Sequence, residues 1–113
     1  MGINEYLKTA DAGKEKHVPE ISVAECNSCG GLRVRVIVGK EVLHPSTPEH
    51  SIKTIAIYGV TNEAKIDQLA VFQLGDENTK PLVRASIVKD KYAKLLATSY
   101  CNLHGLWENS LEL

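Results

Sequence analysis

The chain has 113 residues, 43% of them hydrophobic and 24% charged, with a formal net charge of -1. That size predicts one compact domain over 1–113 with an ordinary buried core. The nearly balanced charge offers no field for nucleic acid, and no apolar run approaches the roughly 20 residues that span a bilayer.

The N-terminus, Met1-Gly2-Ile3-Asn4-Glu5-Tyr6, lacks a basic stretch followed by an apolar one, so no secretory signal is expected and the cytoplasm is the expected compartment. Three cysteines are an odd number, which argues against a full disulfide framework. Ile3, Tyr6, Leu7 and Ala10 fall at helical spacing and predict a short amphipathic helix over residues 3 to 10, ended by Ala12-Gly13. Pro19 then pushes Val18 toward an extended backbone, so Lys14 to Pro19 reads as a loop.

Beyond this point the texture is β. Glu20 to Glu25 alternates, and Cys26-Asn27-Ser28-Cys29-Gly30-Gly31 is a turn. Leu32, Val34, Val36 and Val38 alternate with Arg33 and Arg35 as a half-buried strand. Residues 44 to 50 carry Pro45 and Pro48 and cannot continue a strand interior. Further strands are expected at Ile52 to Tyr58 (closed by Gly59), Ile66 to Leu74, Leu82 to Val88, Tyr92 to Tyr100 and Leu106 to Leu113. About seven short strands with regular turn signals predict an antiparallel β-sandwich.

All four histidines, His17, His44, His50 and His104, fall in loops or at strand ends. Six residues of straight strand would hold His44 and His50 roughly 20 Å apart, so they can bind one metal only if the prolines bend the segment into a loop. Cys101-Asn102-Leu103-His104 places a thiol three positions before an imidazole, a pair suited to late first-row metals. Three centres fit these residues. One is a mixed imidazole-thiolate site from His17, His44, His50, His104 and Cys101. Another is structural zinc on Cys26, Cys29, Cys101 and His104. Blue copper is the third, and it is disfavoured because the only Met is Met1 and Asn109 stands where an axial Met could follow.

Glu15-Lys16-His17-Val18-Pro19, Gly39-Lys40-Glu41, His44-Pro45-Ser46-Thr47-Pro48-Glu49-His50 and Ser99 to Glu108 resemble superoxide reductase, more narrowly its single-iron neelaredoxin class, related to the iron-site domain of desulfoferrodoxin. The resemblance implies an immunoglobulin-like β-sandwich that reduces superoxide to hydrogen peroxide without releasing dioxygen. It implies one iron ion per chain, with His17, His44 and His50 as equatorial ligands through Nε2, His104 through Nδ1, and Cys101 as the axial ligand. Glu15 matches a carboxylate that takes the sixth position in the oxidised state, and Lys16 matches a lysine near the open site. Backbone N–H groups of Leu103 and His104 are implied as donors to the Cys101 sulfur. A rubredoxin-like electron donor and a homo-oligomer, a tetramer being the expected size, complete the implied partners.

Ser51 replaces a histidine common in the family, at a position that is not a ligand. Cys26 and Cys29 lie outside the single-iron pattern, and a disulfide or thiol pair is expected there rather than a metal clip. Tyr100 and Trp107 are expected to pack around the site rather than relay electrons.

Overall fold

The computed structural model describes residues 2–11 and 15–113. Seven strands run in chain order: β1 (Pro19–Cys26), β2 (Gly31–Val38), β3 (Ile52–Thr61), β4 (Ile66–Gln73), β5 (Leu82–Ile87), β6 (Tyr92–Cys101) and β7 (Gly105–Glu112). They form two sheets, β1-β2-β5 and β4-β3-β6-β7, with every named pairing antiparallel. The β-sandwich expected from the strand pattern is the architecture observed. Among the described residues no helix is long and apolar enough to cross a membrane.

Strand alternation builds the core. Val34, Val36 and Val38 of β2 are fully buried and meet Ile52, Ile55 and Ile57 of β3 and Leu95 and Ala97 of β6 between the sheets. Each large aliphatic group buried this way contributes about 1.5–3 kcal/mol. Ile52 and Ile55 could not both face inward on a regular strand, where faces alternate every residue. A register irregularity between Ile52 and Thr54 resets the alternation and turns both to the core. On β6 the alternation holds without interruption: Leu95, Ala97, Ser99 and Cys101 are all fully buried. Cys101 is therefore the last inward-facing residue of a core strand.

The short helix expected over residues 3 to 10 is replaced by a single 3-10 turn at Ile3–Glu5. Eight residues are too few to sustain an isolated helix, and the backbone finds a better partner. Lys8 forms a parallel bridge to Trp107, with Lys8 N donating to Leu106 O at 3.2 Å and Glu108 N donating to Lys8 O at 2.9 Å. The expected stop at Ala12-Gly13 lies outside the described residues. Gly59 does not close β3, which continues to Thr61. It lies within the strand because the Tyr92 ring passes over it, so close that a Cβ there would stand 2.5 Å from that ring.

Candidate metal centre

Three separate stretches deliver the histidines to one end of the sandwich. Glu15 and His17 precede β1, His44 and His50 lie in the β2–β3 connection, and Cys101 and His104 flank the β6–β7 turn. Gly39, just past β2, makes the sharp exit that aims the chain at His44. Its φ of +86° is left-handed, and a Cβ there would meet Val42 O at 2.3 Å and His44 N at 2.7 Å.

The loop beyond is pinned by hydrogen bonds rather than by regular structure. Thr47 N donates to His50 O at 2.9 Å, and His50 N donates to Thr47 Oγ1 at 3.0 Å. Asn102 ties the loop to the β6–β7 turn: Ser51 N donates to its Oδ1 at 3.0 Å, and its Nδ2 donates to Glu49 O at 2.8 Å. The segment before β1 is anchored twice. Asp11 Oδ1 accepts from His17 N at 2.6 Å and Val18 N at 3.0 Å, while Ser99 Oγ donates to His17 O at 2.6 Å.

So held, the four imidazoles form a closed ring. Neighbouring centroids are 4.9 Å apart for His17 and His44, 4.8 Å for His44 and His50, 5.2 Å for His50 and His104, and 4.8 Å for His104 and His17. Each neighbouring pair is edge-on, with interplanar angles between 64° and 79°. Cys101 Sγ, fully buried, approaches to 3.6 Å from His44 Nε2 and 3.7 Å from His104 Nδ1. From the more open side, Glu15 Oε1 lies 2.7 Å from His17 Nε2, 3.1 Å from His50 Nε2, 3.1 Å from His104 Nδ1 and 3.5 Å from His44 Nε2. His17, His44, His50 and Cys101 form one metal-capable set, and Glu15, His17, His50 and His104 form another.

The desulfoferrodoxin family profile matches residues 9–110. A superoxide reductase of Pyrococcus abyssi is 39% identical over 116 residues, covering 98% of each chain. The chain belongs to the desulfoferrodoxin family. A neelaredoxin of Megalodesulfovibrio gigas is 32% identical over 124 residues, covering 97% of this chain and 95% of its own. Among solved structures, an oxidised superoxide reductase superposes with a TM-score of 0.89 at 34% identity, covering 99% of both chains. A one-iron superoxide reductase of Giardia intestinalis gives 0.78 at 39% identity, covering 88% of this chain and all of its own.

The donor set of this family member fits a cation that accepts nitrogen and sulfur ligands. Glu15 Oε1 and His50 Nε2 are buried atoms of the cluster that lie 3.1 Å apart without forming a well-aligned hydrogen bond. Buried polar atoms paired this poorly are costly, and an ion at the centre of the ring would satisfy them. His44 Nδ1 lies 2.8 Å from Pro45 O. With Nδ1 donating to that carbonyl, the tautomer leaves the Nε2 lone pair for a metal.

Burial lowers the pKa of His17 and of His44 below the ordinary 6.5, with Glu15 opposing the shift at both. Both rings are therefore biased toward the neutral form that ligates. The same bias governs the metal-free protein. Unfolded imidazoles take up protons near 6.5 while the folded ones resist, so stability is complete above that pH and falls as pH drops below it. The urea midpoint of chelator-treated protein is expected to fall between about pH 7.5 and about pH 5.5, and to fall less in His44→Gln. An equal decrease in both proteins would contradict this reading of His44.

The structure gathers Glu15, His17, His44, His50, Cys101 and His104, all of them singled out by the sequence. Lys16 lines a neighbouring groove with Asp11, Glu20, Lys40 and Glu41. The cation lining the groove beside Glu15, His17, His104 and Trp107 is Lys8. Its ammonium donates to His104 O at 3.3 Å and sits 5.0 Å from the Trp107 ring centroid. Sequence reasoning missed Lys8 because helical spacing placed it on a helix, whereas the β-bridge brings it to the site. Asp11, Ser99 and Asn102 were also missed, since side-chain to backbone ties have no periodic signal.

Trp107 packs as expected, stacked on His17 at 4.6 Å and 12°, with Nε1 donating to His104 O at 3.2 Å. Among the described residues no backbone N–H donates to Cys101 Sγ, so the donors implied at Leu103 and His104 are not formed here; the polar neighbours of the sulfur are ring nitrogens. A Cys3His zinc site is not assembled. Cys26 and Cys29 are disulfide-bonded to each other, and Cys26 ends β1 whereas His17 precedes it. An eight-residue strand, roughly 25 Å long, separates that pair from Cys101 and His104.

Proposed function

We propose that the chain reduces superoxide by one electron to hydrogen peroxide at a single iron that His17, His44, His50, His104 and Cys101 would hold. The observation that carries this reading is the closed ring of four imidazoles with a buried thiol on one side and a solvent-accessible groove on the other. The names of the relatives supply the substrate class. Iron bound there would supply a one-electron couple and a place for a small anion to bind.

The rest of the chemistry belongs to the chain. Cys101, on the buried side, would supply the soft sulfur donor that favours electron release from the metal. His44, through its bond to Pro45 O, presents a fixed Nε2. The overall charge is slightly negative and does not attract superoxide, so local cations must. Lys16 is the cation the family resemblance points to, and Lys8 lines the open groove itself. Both draw in the anion and orient water for proton delivery. The Glu15 carboxylate, on the more open side, would be a further ligand in the oxidised state. The second electron partner is external, a small rubredoxin-like protein.

Self-association is part of this reading. The outer face of the four-stranded sheet carries Tyr58, Val71, Leu96 and Leu106 around a groove that Ile3 and Leu7 also line. Solvent-facing apolar groups gathered in this way favour contact with a further copy.

Stopped-flow oxidation of the ferrous protein by superoxide tests the residue roles. Lys16→Ala and Lys8→Ala should each lower the second-order rate, by up to about tenfold at low salt and less at high salt. An unchanged rate removes that lysine from the reaction. Glu15→Ala should leave the first oxidation nearly intact and alter the spectrum of the final ferric species. A slowed first step would assign Glu15 a different part.

A further inference from the structure

We propose that Cys26 and Cys29 form a thiol–disulfide exchange site that accepts two electrons from a low-molecular-weight thiol. The pair is disulfide-bonded in the β1–β2 turn, at the end of β1 remote from the imidazole ring. It is poorly suited to a purely structural role. The hairpin is already closed by the Cys26–Gly31 register pair and by Gly30 N donating to Cys26 O at 3.0 Å. A bridge between residues three apart removes little loop entropy from the unfolded chain.

The two sulfurs have different surroundings, and the difference sets a direction. Cys29 is exposed, whereas Cys26 is 6% exposed. Polar donors gather on the buried sulfur: Cys29 N donates to Cys26 Sγ at 3.3 Å, and Arg33 Nη2 donates at 3.8 Å. Ser28 Oγ lies 3.5 Å away, placed to donate once that sulfur carries charge. These groups stabilise a thiolate at Cys26, making it the better leaving group. Beside Cys29 a groove of about 530 Å³, lined also by Gly30, Ser86, Val88, Lys89 and Asp90, has room for a small thiol.

The exchange proceeds in two steps. An incoming thiolate attacks Cys29 Sγ, a mixed disulfide forms there, the Cys26–Cys29 bond breaks and Cys26 leaves as a thiolate. A second thiolate attacks the small-molecule sulfur of the mixed disulfide and releases Cys29. Two thiols are oxidised to one disulfide, and the protein disulfide gains two electrons and, at Cys29, a proton from solvent. None of this involves the imidazole ring, so the site is read by thiol chemistry and stands or falls apart from superoxide reduction.

Iron-loaded protein is equilibrated with graded ratios of reduced and oxidised glutathione, then acid-quenched, alkylated and mapped by mass spectrometry. Cys26 and Cys29 should become labelled together while circular dichroism stays native. In Cys26→Ala, glutathione disulfide should place glutathione on Cys29. Arg33→Gln should shift the equilibrium toward the disulfide by roughly three- to tenfold, the smaller figure reflecting how exposed Arg33 is. A wild-type bridge that opens only on denaturation would overturn the proposal, and so would an Arg33→Gln equilibrium equal to wild type. Both readouts decide the matter even if Cys26→Ala does not fold.

Discussion

Cys101→Ser is expected to abolish the thiolate-to-iron absorption band and to slow superoxide-dependent oxidation by at least about a hundredfold. Cys101 is fully buried, and its sulfur lies within 3.7 Å of two ring nitrogens. It is the one soft donor in the set, and a serine hydroxyl at the same place is harder and holds its proton far more tightly. The electron density that a sulfur ligand would supply to bound iron is then lost. The change is nearly isosteric, so folding should survive: the metal-free variant is expected to melt within a few degrees of the metal-free parent. That pairing of outcomes separates a ligand from a core side chain. An intense thiolate band in Cys101→Ser would remove Cys101 from the ligand set.

Gly39→Ala is expected to cost about 2–4 kcal/mol of stability and to weaken iron retention, although residue 39 is not itself a ligand. The left-handed φ of +86° costs about 1–2 kcal/mol for an L side chain. The new methyl must also displace Val42 O and His44 N, which are backbone atoms of the segment carrying His44. Relief therefore moves His44, whose ring is otherwise fixed by Pro45 O. In a domain of this size the loss corresponds to a fall in melting temperature of roughly 10 °C or more. Ser46→Ala, in the same loop, is the control. A Gly39→Ala protein that melts within about 2 °C of the parent and holds iron equally well would show that this turn does not position the site.

Much of this was legible in the sequence for a simple reason. Strand alternation is a local signal, and Leu32 to Val38 carries it clearly, so that strand could be read directly; the strand expected over Tyr92 to Tyr100 was found as well, but that it runs on to an inward-facing Cys101 was not legible. Turn residues marked where chain direction changed, and the histidines fell at those points. Convergence of three loops is not local. Nothing in the spacing of His17, His44 and His104 says that their rings close on one another, and the step from spacing to a shared site came from resemblance. Lys8 was hidden because four apolar residues at helical spacing outweighed any sign that the segment would pair with β7. Gly59 misled for a related reason: a glycine usually punctuates a strand, and here it makes room for the Tyr92 ring.

The most direct measurement loads the protein with one ferrous ion per chain, adds superoxide in known amount, and counts hydrogen peroxide and dioxygen together. One peroxide for each superoxide consumed, with loss of one electron per iron and no dioxygen released, is the expected result. Half a peroxide per superoxide with matching dioxygen would contradict reduction and indicate dismutation instead.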